Sequence, residues 1–303
     1  MCLTDEVPKG RGTPQATRTM NQSSHTARLP ARRDCRKPTL PGRLTPRSVG
    51  VCILVVARRS EYLLIDVSNS YAKFAFASRE RVSKPARIPT AELSSSVVAE
   101  FLRRRHIGKL VVSSVVPTKN PTISKAARSK APVLWLDWKR KLGLTIDYPK
   151  PESIGADRLA NAAAVAELYG CPVIVIDFGT AATFDVVSED RRYIGGVIAP
   201  GLEAMTNFLY QRTALLPRVS LKEPHRAIGK STVEAMRSGA VFGYRGLVRE
   251  ILARIKAEQF PRKKVAVVAT GGYARLIASE VPEVALIHPN LTLEGLRIVG
   301  NLN

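Results

Sequence analysis

Residues 172–187 read PVIVIDFGTAATFDVV, and this stretch decides the interpretation of the fold. A run of apolar residues ends in a lone acid, Asp177, which a Gly-Thr turn and a second β-rich run follow. The pattern predicts a buried β-hairpin with a carboxylate at the tip of its first strand. A similar hairpin comes earlier, in EYLLIDVSNSYAKFAFAS, where Asp66 ends the run. The two hairpins form a weak internal repeat of about fifteen residues.

The segments around these hairpins alternate between strand and helix patterns, which predicts an α/β chain with mixed sheets. Strands are expected at 62–67, 71–77, 110–117, 132–136, 173–177, 182–187, 193–198 and 265–270. Helices are expected at 91–105, 122–129, 152–169, after 201, at 232–257 and over the closing residues from 291. Gly170 follows the third of these helices in the position that a left-handed cap prefers.

The composition suits a soluble globular protein with a basic extension. At 303 residues, 45% of them hydrophobic, the chain is long enough for two domains and a sizeable core. The net charge is +22, and residues 1–60 alone carry 12 Lys or Arg against 3 acids. This segment has little periodic apolar pattern, so we expect a disordered basic arm.

Three alternatives stay open for the arm: an RNA- or membrane-binding segment, a transit peptide, or a product that begins at Met20. Stacking on exposed bases is unsupported, because residues 1–60 contain no aromatic side chain. The apolar run at 49–57 is shorter than the ~20 residues of a membrane span. We therefore expect a cytoplasmic protein without a membrane segment.

Zinc and P-loop chemistry are not supported. The four cysteines lack CxxC spacing and the four histidines form no HExxH pair, which argues against a disulfide framework or a zinc site. The segment IGKST resembles the end of a phosphate-binding P-loop. However, Pro224 stands where the first glycine of that motif is required, and no predicted strand leads into it, so we reject the motif.

A carboxylate beside a turn of small residues suits phosphoryl transfer. Gly, Ser, Thr and Asn let backbone N–H groups and hydroxyls approach phosphate oxygens. The carboxylate can hold a cation, or the water of a cation, that neutralises the phosphate. Two such hairpins facing each other would grip a nucleotide between two domains. For either hairpin alone, an Asp that only caps its own turn is the simpler alternative.

Seven motifs, in chain order, resemble those of the type III pantothenate kinases. They are DVSNS at 66–70, SSVVP at 113–117, GADR at 155–158, DFGTA at 177–181, GG at 195–196, GKST at 229–232 and TGG at 270–272. The similarity runs from about residue 62 to residue 301. It implies the actin-like, sugar-kinase-like ATPase fold, with two duplicated RNase H-like domains that we place at 61–171 and 172–303.

The resemblance implies ATP-dependent phosphorylation of pantothenate to 4'-phosphopantothenate, the first step of coenzyme A synthesis. It also implies a homodimer that uses Mg²⁺ and a monovalent cation, K⁺ or NH₄⁺. Two competitors remain. Another small-molecule kinase of the fold would keep both hairpins, and only the GADR and Thr232 regions argue against it. A non-catalytic transcription accessory factor is favoured by Ser68 and the basic arm, whereas the intact GADR and DFGTA motifs argue against it.

The substrate site follows from the same resemblance. Asp157 would accept the proton of the substrate hydroxyl, and its place in the first turn of a helix favours the ionised carboxylate. Arg158 would bind the pantothenate carboxylate, with a surface or interdomain ion pair as the alternative. The other substrate-contacting positions are Tyr148, Gly155, Ala156 and Thr232. Tyr148 could instead anchor its own turn, and Thr232 could cap the following helix.

For the nucleotide, the resemblance implies contacts from both hairpins. Asp177 would be the ligand of the monovalent cation, and Thr180 would contact the phosphates. The other nucleotide-binding positions are Asp66, Asn69, Ser70, Lys73, Gly271 and Gly272. The two glycines could instead form only a turn into the next helix. Ser68 stands where the family has glycine in its first phosphate turn, and a positive φ there would cost a serine about 1 kcal/mol or more.

Overall fold

Two mixed β-sheets organise residues 59–303, the part of the chain that this computed structural model describes. The strands of the first sheet are β1 (Arg59–Val67), β2 (Tyr71–Ala77), β3 (Ala86–Pro89), β4 (His106–Ser114) and β5 (Val133–Trp135). Their order in space is β3-β2-β1-β4-β5. The pairs among β1, β2 and β3 are antiparallel, and β4 and β5 continue the sheet in parallel.

The second sheet contains β6 (Thr145–Ile146), β7 (Val173–Phe178), β8 (Ala181–Val187), β9 (Arg192–Pro200), β10 (Ala266–Thr270) and β11 (Leu286–Ile287). Their order is β11-β10-β7-β8-β9-β6. The segment from β7 to β11 repeats the order and directions of the first sheet, and β6 adds a parallel edge strand to β9. This repetition confirms the mixed α/β architecture and supports the predicted duplication.

Seven α-helices accompany the sheets in the described residues. They are α1 (Ser95–Arg104), α2 (Asn120–Ala127), α3 (Ala156–Leu168), α4 (Leu202–Arg212), α5 (Thr232–Gln259), α6 (Ala274–Ala278) and α7 (Leu291–Leu302). Residues 59–303 all fall within one compact unit, so the boundary between residues 171 and 172 stays a prediction. No helix in this part of the chain is long and apolar enough to cross a membrane.

The alternation of the strands divides their side chains between two hydrophobic layers. In β1, Leu63 and Ile65 pack with α1 and α2, whereas Leu64 faces a central core that contains α3 and α7. The alanine-rich α3 packs closely against α7. A Cβ on Gly295 of α7 would overlap the carbonyl oxygen of Ala160 on α3. Small residues at this contact therefore fix α3, which carries the GADR motif, between the two sheets.

Most predicted elements are confirmed, with differences at their ends. The strand expected at 110–117 begins at His106 and ends at Ser114, because Pro117 opens a 3₁₀ turn. The helix expected from residue 152 begins at Ala156, after another 3₁₀ turn. Gly170 adopts a φ of 77°, which confirms the left-handed cap. Four short elements, β3, β6, β11 and α6, fall outside the predictions, and the predicted arm at 1–60 lies almost entirely outside the described residues.

Candidate active site

The turns of the two predicted hairpins meet in the folded chain. Ser70, in the turn between β1 and β2, lies with its hydroxyl 3.0 Å from that of Thr180, in the turn between β7 and β8. Both side chains are exposed, as groups that receive a ligand must be. The turns belong to different sheets and are 110 residues apart in sequence, so the predicted pairing of the two hairpins is a feature of the fold.

Asp66, the penultimate residue of β1, is buried, with only 2% of its surface exposed. Lys73 Nζ lies 3.6 Å from Asp66 Oδ2, whereas Oδ1 has no hydrogen-bond partner. Ser113, the register partner of Asp66 on β4, is also fully buried, and its hydroxyl has no partner either. Burial raises the pKa of Asp66 to about 6, although Lys73 opposes the shift. A buried, half-paired carboxylate fits a cation or the water of a cation.

We expect Asp66→Asn to stabilise the chain at pH 7.5 in the absence of Mg²⁺. A carboxyl with a raised folded-state pKa binds more protons when folded between about pH 4 and 6, so the wild type loses stability as the pH rises through that range. Asparagine has no such dependence. With a shift of about two units, the expected gain in unfolding free energy is about 2–3 kcal/mol at pH 7.5 and vanishes near pH 4.

Denaturant unfolding of both proteins across pH 4–8 measures this difference. A variant that is less stable than the wild type at pH 7.5 would mean that the Lys73 pair outweighs the cost of burying the charge.

Strain at the neighbouring Ser68 does not complicate the comparison. Among the described residues, only Arg191 and Arg262 combine a side chain with a positive φ, so the cost considered for Ser68 is absent.

Asp177, the penultimate residue of β7, lies beside a buried amide, that of Asn161, which the sequence-based prediction does not include. Asn161 Nδ2 donates to Asp177 Oδ2 at 3.1 Å, and Asn161 Oδ1 accepts from the hydroxyl of Thr292 at 2.9 Å. Burial raises the pKa of Asp177, and Lys73 and the Asn161 hydrogen bond oppose that shift. Asn161 lies one helical turn after Asp157 on the same face of α3. This face therefore carries Asp157 and also the amide that binds Asp177.

Gly271 is tightly enclosed, and Gly272 is not. Gly271 has a φ of 96°, and a Cβ there would lie 2.5 Å from Asp177 Oδ1 and 2.6 Å from the backbone of Phe178. A Cβ on Gly272 would meet no atom within 4 Å. Tyr273 N donates to Phe178 O at 3.2 Å, which holds the turn against the end of β7. The first glycine is therefore required by the fold, and the second leaves open space for a ligand.

Asp157 occupies the second position of α3 and is mostly enclosed. Its Oδ1 accepts from Arg158 N at 2.8 Å. A Cβ on Gly155 would lie only 2.6 Å from the same oxygen, so glycine is needed before it. Burial raises the pKa of Asp157, although the backbone hydrogen bond and the charge of Arg158 oppose the shift. Desolvation therefore opposes the bias toward the ionised form that the helix end provides.

The carboxylates of Asp66, Asp157 and Asp177 share one electrostatic environment. In each pair, repulsion between the two carboxylates contributes to raising the pKa of at least one of them. The Lys73 ammonium opposes the rise in pKa of all three. The three do not converge as direct ligands of one ion. Within residues 59–303, no three acidic, imidazole or thiol side chains form a metal-binding group. Any cation here would need phosphate, backbone or water oxygens as well.

Arg158 makes a buried ion pair, the alternative considered for it. Its Nε donates to Asp185 Oδ1 at 2.7 Å, and Asp185 is 1% exposed. Tyr193 donates to the same oxygen at 2.8 Å, and Thr183 donates to Oδ2 at 3.2 Å. Burial raises the pKa of Asp185 to about 6, and Arg158 and Tyr193 hold it below a still higher value.

Tyr148 packs beside this network. Its ring meets that of Tyr193 edge-on, with centroids 6.2 Å apart. Gly195 has a φ of 114°, and a Cβ there would contact the Tyr148 ring at 3.4 Å. A Cβ on Gly196 would overlap the Phe184 carbonyl and lie 3.2 Å from Arg158 Nη2. The two glycines of β9 therefore let the Tyr148 and Arg158 side chains lie against this strand.

Two predicted residues are not tied to the others by the described contacts. Asn69 is exposed in the first turn, and Thr232 is exposed as the first residue of α5. Ser231, not Thr232, caps this helix, because its hydroxyl accepts from Glu234 N at 3.2 Å. The alternative role of Thr232 as a cap is therefore wrong.

Four site residues fall outside the sequence-based predictions: Asn161, Asp185, Tyr193 and Thr292. A lone acid inside the apolar run of β8 is the one signal that could have identified Asp185. Asn161 could have been found from its spacing of four residues after Asp157 on a helix. Nothing in the sequence pairs Thr292 with residue 161, because only the packing of α3 against α7 brings them together.

Comparison with known proteins gives a consistent family. A profile described as type III pantothenate kinase matches residues 62–254. The type III pantothenate kinase of Akkermansia muciniphila is 50% identical over 244 residues, which cover 80% of this chain and 99% of that protein. The type III pantothenate kinase of Methylacidiphilum infernorum is 43% identical over 240 residues, which cover 79% and 88%.

Similarity to solved structures is weaker. A Campylobacter jejuni protein assigned to the Baf family of transcriptional activators is 19% identical, with a TM-score of 0.49, over 78% of this chain and 96% of that one. At this TM-score the similarity carries no conclusion about function.

Proposed function

The chain belongs to the type III pantothenate kinase family, and we propose that it transfers the γ-phosphoryl group of ATP to the primary hydroxyl of pantothenate. The product, 4'-phosphopantothenate, begins coenzyme A synthesis. The meeting of the two hairpin turns at Ser70 and Thr180 is the observation that carries the proposal. A site built from two facing turns, each beside a carboxylate at the end of a strand, suits a triphosphate with its cations. A cytoplasmic location, where ATP is supplied, is part of the proposal.

We propose that ATP lies between the sheets, with its phosphates at the two turns. The hydroxyls of Ser70 and Thr180 and the exposed Asn69 would donate to phosphate oxygens, and Lys73 would compensate their charge. Gly272 offers the open surface for the adenosine, above the enclosed Gly271. Asp66 would hold Mg²⁺ through its unpaired oxygen or through water. When bound, Mg²⁺ neutralises charge on the phosphates.

Asp157 is the proposed base for the substrate hydroxyl. Its raised pKa makes it a better proton acceptor than an exposed aspartate, and Arg158 N holds one of its oxygens in place. Gly155 and Ala156 bring the backbone of the helix end close to the substrate. Arg158 and Tyr148 would contact the remainder of pantothenate, with Arg158 at the carboxylate.

We propose Asp177 as the carboxylate ligand of a monovalent cation. Asn161 fixes Asp177 Oδ2, which leaves Oδ1 toward the Gly179 and Gly271 turns. A cation there would lie beside the phosphates that Thr180 contacts and would reduce the repulsion between them and Asp177. This arrangement would make phosphate binding tolerable at the end of a buried strand.

A homodimer is also part of the proposal. Helices α4 and α5 form an apolar groove of about 710 Å³, and the exposed fractions of Met205, Phe208 and Leu209 on α4 are 36%, 60% and 38%. A second copy of the chain would cover this face, which continues from the start of α5 at Thr232. Contact across the dimer would give Thr232 a route to the substrate that it lacks within one chain.

Phe208→Asp is therefore expected to yield monomers at a concentration at which the wild type is dimeric. A charge placed in a buried apolar interface is strongly unfavourable. Analytical ultracentrifugation measures the change, with Trp138→Ser as a control that alters an exposed aromatic residue in the first half of the chain. A Phe208→Asp protein that stays dimeric would place the interface elsewhere.

The experiment that tests the proposed reaction is ADP release from ATP and Mg²⁺, measured with and without pantothenate in K⁺ and in Na⁺. We expect release that depends on pantothenate and is faster in K⁺. Release that is equal in both salts would remove the proposed role of Asp177 but not the kinase activity. Folded protein without pantothenate-dependent release in either salt would contradict the proposal.

A further inference from the structure

The support beneath Arg158 is more elaborate than a simple ion pair. Asp185, in the middle of β8, receives three hydrogen bonds from side chains, from Arg158, Tyr193 and Thr183. Asp185 and Tyr193 are 1% and 0% exposed, so neither can be a direct contact for a ligand in bulk solvent. Because both oxygens accept hydrogen bonds from fixed side chains, the carboxylate is held in one orientation beside Arg158.

Within the described part of the chain, the terminal nitrogens of Arg158, Nη1 and Nη2, have no hydrogen-bond acceptor. Asp185 takes the Nε–H, and no other acceptor for the Arg158 side chain occurs among residues 59–303. Both terminal nitrogens therefore keep donors that can meet a planar partner in a fork arrangement. Gly196 is one reason why they have room, since a Cβ there would lie 3.2 Å from Nη2. Tyr193 flanks the guanidinium, with its ring centroid 5.9 Å from Cζ.

We propose that Asp185 and Tyr193 are positioning residues. They hold the Arg158 guanidinium in the orientation that binds the carboxylate of pantothenate. The inference rests on the proposed function, and it adds the determinant of specificity for an acidic substrate. One arginine can serve two carboxylates here because Asp185 binds its Nε edge and the substrate would bind its terminal nitrogens. Orientation before binding reduces the entropy lost on binding, which favours the charged substrate.

The same network explains the position of Tyr148. Its ring packs edge-on against Tyr193, which itself lies beside the guanidinium. The network also crosses from α3 to β8 and β9, which joins GADR to the strands that follow DFGTA. Discrimination by Arg158, which lies on α3, is therefore set by residues on β8 and β9 of the second sheet.

The test compares pantothenate with its neutral alcohol analogue, in which a hydroxymethyl group replaces the carboxylate. In Asp185→Asn, we expect kcat/KM for pantothenate to fall about 10- to 100-fold, mainly through KM, because a charge-assisted contact is lost. For the alcohol analogue, kcat/KM should change less than about threefold, since that substrate has no carboxylate to read. Tyr193→Phe is the milder variant, with a smaller loss of the same selectivity.

Calorimetric binding of both ligands to the wild type and to each variant gives a readout that needs no turnover. Equal losses for the two ligands in both variants would overturn the inference, because they would indicate general damage to the site. Unchanged pantothenate binding in both variants would also overturn it. If the wild type bound and phosphorylated neither compound, the proposed function itself would fail. Tyr193→Phe retains the Asp185–Arg158 pair, so the inference stays testable if Asp185→Asn does not fold.

Discussion

Asp157→Asn is expected to lower kcat at least ~100-fold while the KM for ATP and pantothenate changes little. A positioned base contributes ~10²–10⁴-fold to a rate, and asparagine cannot accept the proton. The variant keeps the shape of the side chain, and its amide oxygen can still accept from Arg158 N. Stability should not fall, because burial disfavours the wild-type carboxylate and raises its pKa. Steady-state kinetics and denaturant unfolding measure the two effects separately.

Glu152→Gln is the matched control for this variant. Glu152 lies in the turn just before α3 and is exposed. Replacing its carboxylate by an amide should therefore change kcat less than about threefold. An Asp157→Asn protein with more than a tenth of the wild-type kcat would contradict the assignment of the base. Asp157 would then be only an acidic residue in the first turn of a helix.

Gly271→Ala is expected to destabilise the chain by at least about 2 kcal/mol and to abolish measurable ATP binding. A positive φ is energetically unfavourable for alanine. The alanine Cβ would also overlap Asp177 Oδ1 and the Phe178 backbone. The turn would have to move away from the end of β7. Since Asp177 is the proposed cation ligand, the change would disturb the phosphate site directly.

Gly272→Ala separates a fold requirement from a ligand contact. Its Cβ would meet no protein atom within 4 Å, so stability should change by less than about 1 kcal/mol. The KM for ATP should nevertheless rise, because the methyl group would occupy the space that we assign to adenosine. A variant with wild-type stability and an unchanged KM for ATP would show that this glycine serves only the turn.

The hairpins and the motifs after them account for most of what could be predicted. Apolar runs that end in Asp66 and Asp177 define β1 and β7, and their repetition predicts two hairpins of like design. The duplication of the sheets is what the family resemblance implies. The periodicity of the apolar residues and the Gly and Pro residues between segments predict most of the other helices and strands to within a few residues. The short edge strands and α6 have two to five residues, too few for a pattern to emerge.

Contacts between distant segments could not be predicted. Asp185 and Tyr193 become part of the site only because β8 and β9 pair beneath α3. Asn161 meets Thr292 because Gly295 lets α7 approach α3. The net pKa shift of Asp157 has the same origin, since the helix end is visible in the sequence and the burial is not.

The central claim is tested most directly by identifying the product. Wild-type protein is incubated with pantothenate, ATP, Mg²⁺ and K⁺, and mass spectrometry follows the acceptor. We expect pantothenate to gain one phosphoryl group in step with the formation of ADP, and this conversion to be lost in Asp157→Asn. ADP formed without phosphorylated pantothenate, or no reaction by the folded wild-type chain, would contradict the account.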